Sequence, residues 1–561
     1  YLGGISDEIV TSMIVDAADN LYLYGVTGSD NFPVDANAYQ NFFKGGLEYT
    51  PHGFNGNYYP NGTDIYVCKF SADGKNLTAS TFIGGSDNDG INCNNTDLNN
   101  EPLDSLQYNY GDYYRGEIDL DKSGNVYVAT ATRSNDFKIV NGFGKTLKGM
   151  QDAVVFKMDN NLKNVIWSTF LGGDQNDGAY SLILDDTLNV YVTGGTASTD
   201  FPVSNGAVQK NYKGGVDGFV TKIMADGSNY SSSTYWGTDK YDQSFFVQLD
   251  RNNEIYLFGQ TEGKMPVQAA AYSNPNSSQF ITKLNNSLTK IGFSTVVGNG
   301  QVFPNISPTA FLVDLCGNIY VAGWAAGFKK GKGTNGTDIP LTNMPITAGS
   351  LDGTTSGFDF YLMVLGANAN SLVYGMYWGG DKSQEHVHGG TSRFDKKGIV
   401  YQSLCTGCGG NDDYPVMPPG TWPNKGLDSI NGSTNCNNAV FKIDFQPKPI
   451  KAHFVVDSAK GCAPFKVKFA NQSTSWTDYV WDFGNGDTTS VIPSPTHVYT
   501  VPGTYKVKLL TVNKFCNTID STFLTITVYP SINADFDLVN IKCTDSVTFT
   551  DKSFANPVSW L

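Results

Sequence analysis

The chain has 561 residues, more than one hydrophobic core ordinarily serves, so at least two domains are expected. With 61 glycines, 13% aromatic residues and only 16% charged residues, it suits short strands and tight turns and fits poorly with long charged helices. A formal charge of −15 argues against nucleic acid as a partner, and no apolar run approaches the ~20 residues that span a membrane as a helix.

One pattern recurs six times. A Gly-Gly step is followed by an acidic turn, a short apolar strand, a Phe-Pro or similar element and another strand. The copies open at Tyr1 (YLGG), Ser80 (STFIGG), Ser168 (STFLGG), Ser233 (STYWG), Ser294 (STVVG) and Met376 (MYWGG). Tyr1–Gly4 reads as the inside of a strand, so a processed or incomplete start is expected. Turns such as Asp185–Asn189 suit hairpins, because Asn, Asp and Gly tolerate positive φ. Alternation as in Val190-Tyr191-Val192-Thr193 suits half-buried strands. Four strands per unit, repeated six times, predict an all-β fold with a β-propeller over residues 1–445. The recurring Gly-Gly step, GNVYVTG-like strand and DFP element resemble the SBBP family of bacterial propeller repeats. Six repeats are visible, whereas the family name implies seven blades. The half-blades at the two ends are expected to complete one another, with Tyr1–Gly4 beside Phe441–Phe445.

Residues 446–451 (QPKPIK) read as a linker, and residues 452–530 as an immunoglobulin-like β-sandwich. WDFGNGD at Trp481–Asp487 and PTHVYTVPGTYKVKL from Pro495 resemble the PKD domain signature, with Gly484-Asn485 where Gly-Asp is usual. The resemblance implies Trp481 as core anchor. Residues 531–561 repeat the start of this module, and Trp560 falls where Trp481 would, so the natural chain is expected to continue. Propeller repeats leading into PKD modules look like large Bacteroidetes surface proteins, which implies an extracellular location and export by type IX secretion machinery.

No catalytic residues are expected. The recurring carboxylates Asp16, Asp119, Asp121, Asp185, Asp250 and Asp314 are better explained by the fold than by hydrolysis, and nucleophile-elbow and phosphate-loop patterns are absent. Long insertions carry Tyr49, Phe54, Tyr58, Tyr59, Tyr108, Tyr110, Tyr113 and Tyr114 among Asn and Asp. Such rings could stack on sugars, although packing down the loops is the favoured reading. The expected partners are therefore surface glycans or other surface proteins.

Nine cysteines in turn-rich stretches suggest disulfides. By analogy with the module, Cys462 pairs with Cys516. Cys436 is expected to bridge to Cys405 or Cys408, and Cys68 to Cys93, while Cys316 has no obvious partner. A zinc site from His386, His388 and Cys405-x-x-Cys408 is conceivable but disfavoured. No cofactor is expected; Asp482, Asn485 and Asp487 could hold a structural calcium, with turn-making the favoured role. That phylum glycosylates Asp-Ser/Thr-apolar motifs, which makes Ser105, Thr187, Ser429, Ser458, Thr488, Ser521 and Ser546 candidates for O-glycosylation.

Overall fold

The computed structural model describes all residues except 52–56, 93–105, 110, 326–339, 388–392, 396–397, 408–410, 412, 418–436, 446–449, 515–517, 541–546 and 554–561. The chain is all-β. Among the described residues helix is confined to two short 3-10 turns, Asp112–Tyr114 and Ala367–Ala369, and no helix is long and apolar enough to cross a membrane. Two compact units are formed, Tyr1–Phe445 and Gln446–Leu561.

The first unit is a succession of antiparallel sheets, each made of strands consecutive in the chain. The first sheet holds β1 (Glu8–Val15), β2 (Leu21–Thr27), β3 (Asp64–Phe70) and β4 (Leu77–Ile83). The second holds β5 (Glu117–Leu120), β6 (Val126–Thr132), β7 (Asp152–Met158) and β8 (Val165–Leu171). The third holds β9 (Asp177–Leu184), β10 (Val190–Thr196), β11 (Asp217–Ile223) and β12 (Tyr230–Trp236). The fourth holds β13 (Asp242–Leu249), β14 (Ile255–Thr261), β15 (Gln279–Leu284) and β16 (Ile291–Val297). The fifth holds β17 (Ile306–Val313), β18 (Ile319–Ala325), β19 (Phe360–Leu365) and β20 (Leu372–Trp378). The sixth has three described strands, β21 (Arg393–Phe394), β22 (Ile399–Thr406) and β23 (Asn437–Asp444). First strands pack on one another in order, from β1 on β5 through to β17 on β21. Repeated four-stranded sheets stacked in this way are compatible with a propeller.

Three expectations change. The repeat runs one strand out of phase with the reading from sequence: STFIGG and its equivalents end the fourth strand of a sheet and lead to the next sheet, rather than opening a unit. The second strands of the second to fifth sheets are not half-buried, although β22 of the sixth alternates as expected. β6, β10, β14 and β18 are buried at every position, because neighbouring sheets cover both faces. Tyr1–Gly4 forms no ladder with Phe441–Phe445; Leu2 packs on the first sheet's cluster of Leu23, Phe32 and Phe82, and Gly4 lies against Ser29 and Asn31.

The Gly-Gly step has a steric cause. A Cβ on Gly84 would fall 2.6 Å from Asp64 Oδ1 and 2.7 Å from Asp89 Oδ2, and one on Gly172 2.6 Å from Asp152 Cγ and 2.7 Å from Asp177 Oδ2. The second glycine meets the following sheet, with Gly85 against Ser134 and Gly173 against Ser198. Gly4 against Ser29 repeats that contact on the first sheet.

The recurring turn carboxylates are structural. Asp121 Oδ1 accepts from the N–H groups of Ser123 and Asn125, and Oδ2 from Asn125 Nδ2 at 2.8 Å. Asp185 does the same with Thr187 and Asn189. A lysine from the third strand completes each turn: Lys157 Nζ lies 3.3 Å from Asp121 and 4.7 Å from the Tyr127 ring centre, and Lys222 lies 3.6 Å from Asp185 and 5.0 Å from that of Tyr191. Lys69 with Asp16 and Tyr22, and Lys283 with Asp250 and Tyr256, repeat the arrangement. Burial works against the charge on Asp16, Asp121 and Asp185, but the asparagine and backbone donors, with the lysine at Asp16 and Asp121 and the Thr187 hydroxyl at Asp185, outweigh it and hold these carboxyls below their ordinary value.

The second unit pairs β24 (Phe454–Val456), β26 (Phe465–Asn471) and β29 (Thr496–Tyr499) in one sheet. Its other sheet holds β25 (Lys460–Cys462), β27 (Asp478–Asp482), β28 (Thr488–Thr489), β30 (Gly503–Asn513) and β31 (Thr518–Tyr529). Lys451 bridges to Thr474, so the expected linker ends inside this unit. A hairpin of β32 (Phe536–Asn540) and β33 (Val547–Asp551) follows.

Candidate functional site

The described residues just before β5, Leu106–Asn109 and Gly111–Arg115, reach other sheets of the first unit. Leu106 O accepts from Gln243 Nε2 at 2.8 Å, from the Tyr180 hydroxyl at 3.1 Å and from Asn92 Nδ2 at 3.2 Å. Asn109 and Gln260 exchange amide hydrogen bonds, both 3.0 Å. Arg115 donates to Asp112 at 3.0 Å and to Pro308 O at 2.9 Å, and its guanidinium lies 4.8 Å from the Phe245 ring centre. Tyr108 stacks on Tyr241 with ring centres 4.4 Å apart and donates to Glu262 at 3.0 Å. Leu106, Asn109 and Arg115 thus tie together β9, β13, β14 and β17, the first two through the amides of Gln243 and Gln260.

Arg393 on β21 makes a second cross-sheet tie. Its guanidinium lies 3.2 Å from Glu117 Oε1 on β5, donates to Ile118 O, and reaches Ser12 Oγ on β1 at 3.4 Å. Glu117 Oε2 accepts from Ser181 Oγ at 2.5 Å and from Leu182 N–H at 3.0 Å on β9. Burial raises the Glu117 carboxyl above its ordinary value, although Arg393 and Ser181 oppose this.

Most of the candidate tyrosines pack rather than face outward. Tyr49, Tyr59, Tyr113 and Tyr114 are buried, with the Tyr59 and Tyr114 hydroxyls 3.0 Å apart. Tyr108 is half-buried, and Tyr58 alone among the described candidates is exposed, donating to Glu48 at 2.9 Å. Phe54 and Tyr110 lie outside the described residues. A sugar-stacking surface built from this set is therefore not assembled; burial of the rings between loop and sheets is the reason.

The cysteine expectations also change. Cys68, Cys405 and Cys462 carry free thiols, so the bridges expected at these three are not present in the structure; Cys93, Cys408, Cys436 and Cys516 lie outside the described residues. Burial pushes the Cys68 thiol up to about 12, which makes it a core residue rather than a reactive one. Cys316, for which the sequence offered no obvious partner, is disulfide-bonded. His386 pairs its backbone with Cys405 and packs its ring near Trp324; His388 lies outside the described residues, and among those described no three His, Cys, Asp or Glu side chains gather to hold a metal.

In the second unit Trp481 is fully buried, packs edge-on to Phe454 at 4.9 Å between ring centres, and donates from Nε1 to Pro493 O at 3.1 Å. The family model for the PKD domain matches residues 446–528. Residues 446–528 are a PKD domain. Its turn uses the candidate cation ligands internally: Asp482 Oδ1 accepts from Gly484 N–H at 2.9 Å, and Asn485 Nδ2 donates to Asp487 Oδ2 at 2.8 Å. The PKD domain resembles the PKD1 domain of the Vibrio cholerae metalloprotease PrtV, at 30% identity over 14% of this chain and 95% of that chain, with a TM-score of 0.13. Longer likenesses are a PL25 ulvan lyase (10% identity, 89% of this chain and 95% of that chain, TM-score 0.33) and PorZ, a type IX secretion component of Porphyromonas gingivalis (9%, 91% and 64%, TM-score 0.24). A comparison with curated proteins finds no match.

Of the glycosylation candidates, Thr187, Ser458 and Thr488 are exposed and Ser521 is half-buried in β31; Ser105, Ser429 and Ser546 lie outside the described residues. Thr187 is engaged, with its hydroxyl donating to Asp185 at 2.7 Å. The cross-sheet groups Gln243, Gln260, Glu117 and Arg393 were not singled out from sequence. Their signal lay in strands read only for their apolar pattern.

Proposed function

We propose that Tyr1–Phe445 is a closed six-bladed propeller, and that with the PKD domain it forms an extracellular surface protein whose head displays a binding or structural surface without catalysing a reaction. Closure is supported by the tie from Arg393 on the last sheet to Ser12 and Glu117 on the first two, and by Gly4 repeating on the first sheet the contact that Gly85 and Gly173 make on theirs.

One observation carries the non-catalytic reading. A glycoside hydrolase needs two carboxylates converging on a site that a sugar can enter. Carboxylates do converge here, as Asp64 with Asp89, Asp152 with Asp177, Asp217 with Asp242 and Asp359 with Glu385, but each of the eight is at most 1% exposed, inside a joint between sheets. Their recurrence from joint to joint is that of a structural part. The type IX export route and the SBBP-like repeat identity belong to this same proposal, resting on the repeat motifs and the PKD domain.

The test is a panel of surface and algal polysaccharides incubated with the 561-residue chain. Retention on an immobilised glycan or surface protein without release of reducing ends is the expected result. Steady release of reducing or unsaturated ends would sink the reading in favour of an enzyme.

A further inference from the structure

Four joints between sheets place two buried carboxylates around one glycine. The glycines are Gly84, Gly172, Gly237 and Gly379, and the Cβ each lacks would touch both members of its pair. At Gly379 that position is 2.5 Å from Asp359 Oδ1 and 2.5 Å from Glu385 Oε2, and at Gly237 it is 2.5 Å from Asp217 Oδ1 and 3.2 Å from Asp242 Oδ2. The fifth joint, at Gly298, has amides instead. In the orientation that matches donors with acceptors, Gln279 donates to Asn305 Oδ1 at 3.0 Å. The molecule therefore contains a neutral, hydrogen-bonded version of the same joint.

The other neighbours of the carboxylates are donors. Asp89 Oδ2 accepts from Gly85 N–H at 2.7 Å and Ser134 at 2.9 Å; Asp177 Oδ2 accepts from Gly173 N–H at 2.7 Å and Ser198 at 2.8 Å. Asp242 Oδ2 accepts from Thr238 through N–H at 2.6 Å and hydroxyl at 2.7 Å. Across the joints, Asp64 accepts from Lys44 and Gly45 N–H, Asp152 from Lys148 and Gly149, Asp217 from Lys213, and Asp359 from Ser356. A calcium ion needs about six to eight oxygens around it, and a shell of N–H and O–H groups opposes one. Glu385 lies within hydrogen-bonding reach of Asp359, and its Oε2 meets no other donor among the described residues. Asp217 Oδ1 likewise meets none. One proton shared between the two carboxyls answers both deficits, as the Gln279 amide proton does at the fifth joint.

We propose that these four joints are proton-sharing carboxyl–carboxylate pairs that hold adjacent sheets together most tightly in acid and loosen as pH rises through neutrality. Burial raises Asp64 to about 7, Asp177 to about 8, Asp217 to about 7 and Glu385 to about 8, with the facing carboxylate adding at Asp177, Asp217 and Glu385, and Asp136 adding at Asp64. Asp152 and Asp242 rise to about 6, and Asp89 and Asp359 also rise. The other charged or titratable neighbours are Lys44 and Asp136 at the first pair, and Lys148, Asp200, Tyr212 and Tyr235 at the second. Lys213, Tyr212 and Tyr235 face the third, and Tyr377 and Tyr414 the fourth. A folded value above the ordinary 3.8 means that the folded state binds the extra proton. The joint is then strongest below that ordinary value and weakens as pH rises through about 6 to 8.

Hydrogen exchange of the 561-residue chain, corrected for intrinsic rates, tests this between pH 6 and 9. The amides of Gly85, Gly173 and Thr238 report three carboxylate joints, and those around Asn305 report the amide joint. Protection at the first three is expected to fall by up to about tenfold per pH unit between pH 6 and the folded values of about 7 to 8, at most one proton per joint, and to level off above them, while the amide joint holds throughout. Asp359→Asn with Glu385→Gln recreates the amide pair and is expected to remove the pH response at that joint alone. Should the double variant fail to fold, the comparison within the unsubstituted chain still decides. Parallel loss at all five joints, or recovery of protection at pH 9 on adding millimolar calcium, overturns the proposal.

Discussion

The two units bury their strands in opposite ways. In Tyr1–Phe445 the second strands of the second to fifth sheets are buried at every position, and polar groups of the unit are buried too: Gln243, Gln260, Glu117 and the joint carboxylates. In the second unit strands such as β26 and β30 alternate, and the interior is one apolar cluster around Trp481. Stability is therefore spread over many joints in the first unit and concentrated at one anchor in the second. Stacked sheets make each joint depend on hydrogen-bond matching, whereas the sandwich depends on filled volume.

The largest test of that contrast is Trp481→Ala. Emptying a fully buried tryptophan site is expected to cost about 3–5 kcal/mol. Limited proteolysis should then degrade Gln446–Leu561 while Tyr1–Phe445 stays intact; survival of both units would mean that the sandwich has no single anchor. Next in size is Arg393→Ala. It leaves Glu117, 4% exposed, without its cation. Because Arg393 is partly exposed, the expected loss is about 2–3 kcal/mol, less than the about 3–5 kcal/mol of a fully buried pair. Denaturant unfolding should show that adding Glu117→Gln restores most of it.

The contrast also explains what was legible in the sequence. The sandwich could be read residue by residue, because Phe465–Phe469 and Thr504–Val512 alternate and Trp481 sits in a recognisable turn. The repeat of the first unit was equally plain, but its phase was not. A Gly-Gly step looks the same whether it opens a sheet or leaves one, and only the partners of Gly84 and Gly172 in three dimensions decide. The insertion tyrosines were ambiguous for a related reason: an aromatic ring beside Asn and Asp suits an exposed stacking site and a buried polar network alike, and Tyr59 and Tyr114 follow the second, which was the favoured reading. Arg393 and Glu117 are 276 positions apart, and nothing local in either strand announces the pair.

Gly172→Ala separates steric fit from backbone freedom. The new methyl group meets Asp152 and Asp177 at 2.6–2.7 Å, and overpacking of this kind is expected to cost about 1–3 kcal/mol. Gly74→Ala is the control. It has φ +68° and nothing within 4 Å, so only backbone strain opposes it, about 1 kcal/mol. Equal losses of melting temperature for the two would mean that the Gly-Gly step is kept for turning and not for the carboxylates.

The smallest effect sharpens the picture within the first unit itself. Turn carboxylates and joint carboxylates respond to pH with opposite signs. Asp185 is held below its ordinary value by hydrogen bonds from Asn189 and Thr187 against the pull of burial, with Lys222 Nζ 3.6 Å away. Its contribution is thus present above the unfolded value and lost as pH falls through the folded one. Asp185→Asn keeps the shape of the turn but gives up the charge-assisted bonds, an expected loss of about 1 kcal/mol at pH 7. In acid the wild-type side chain becomes protonated as well, so the gap in melting temperature between variant and wild type should begin to narrow below about pH 4, the usual Asp value, and close as pH falls through the lower folded one. A gap that stays constant would show that the turn is held by its backbone alone, with Lys222 a bystander; a gap that closes leaves the joints as the part of the molecule that acid strengthens and the turns as the part that acid undoes.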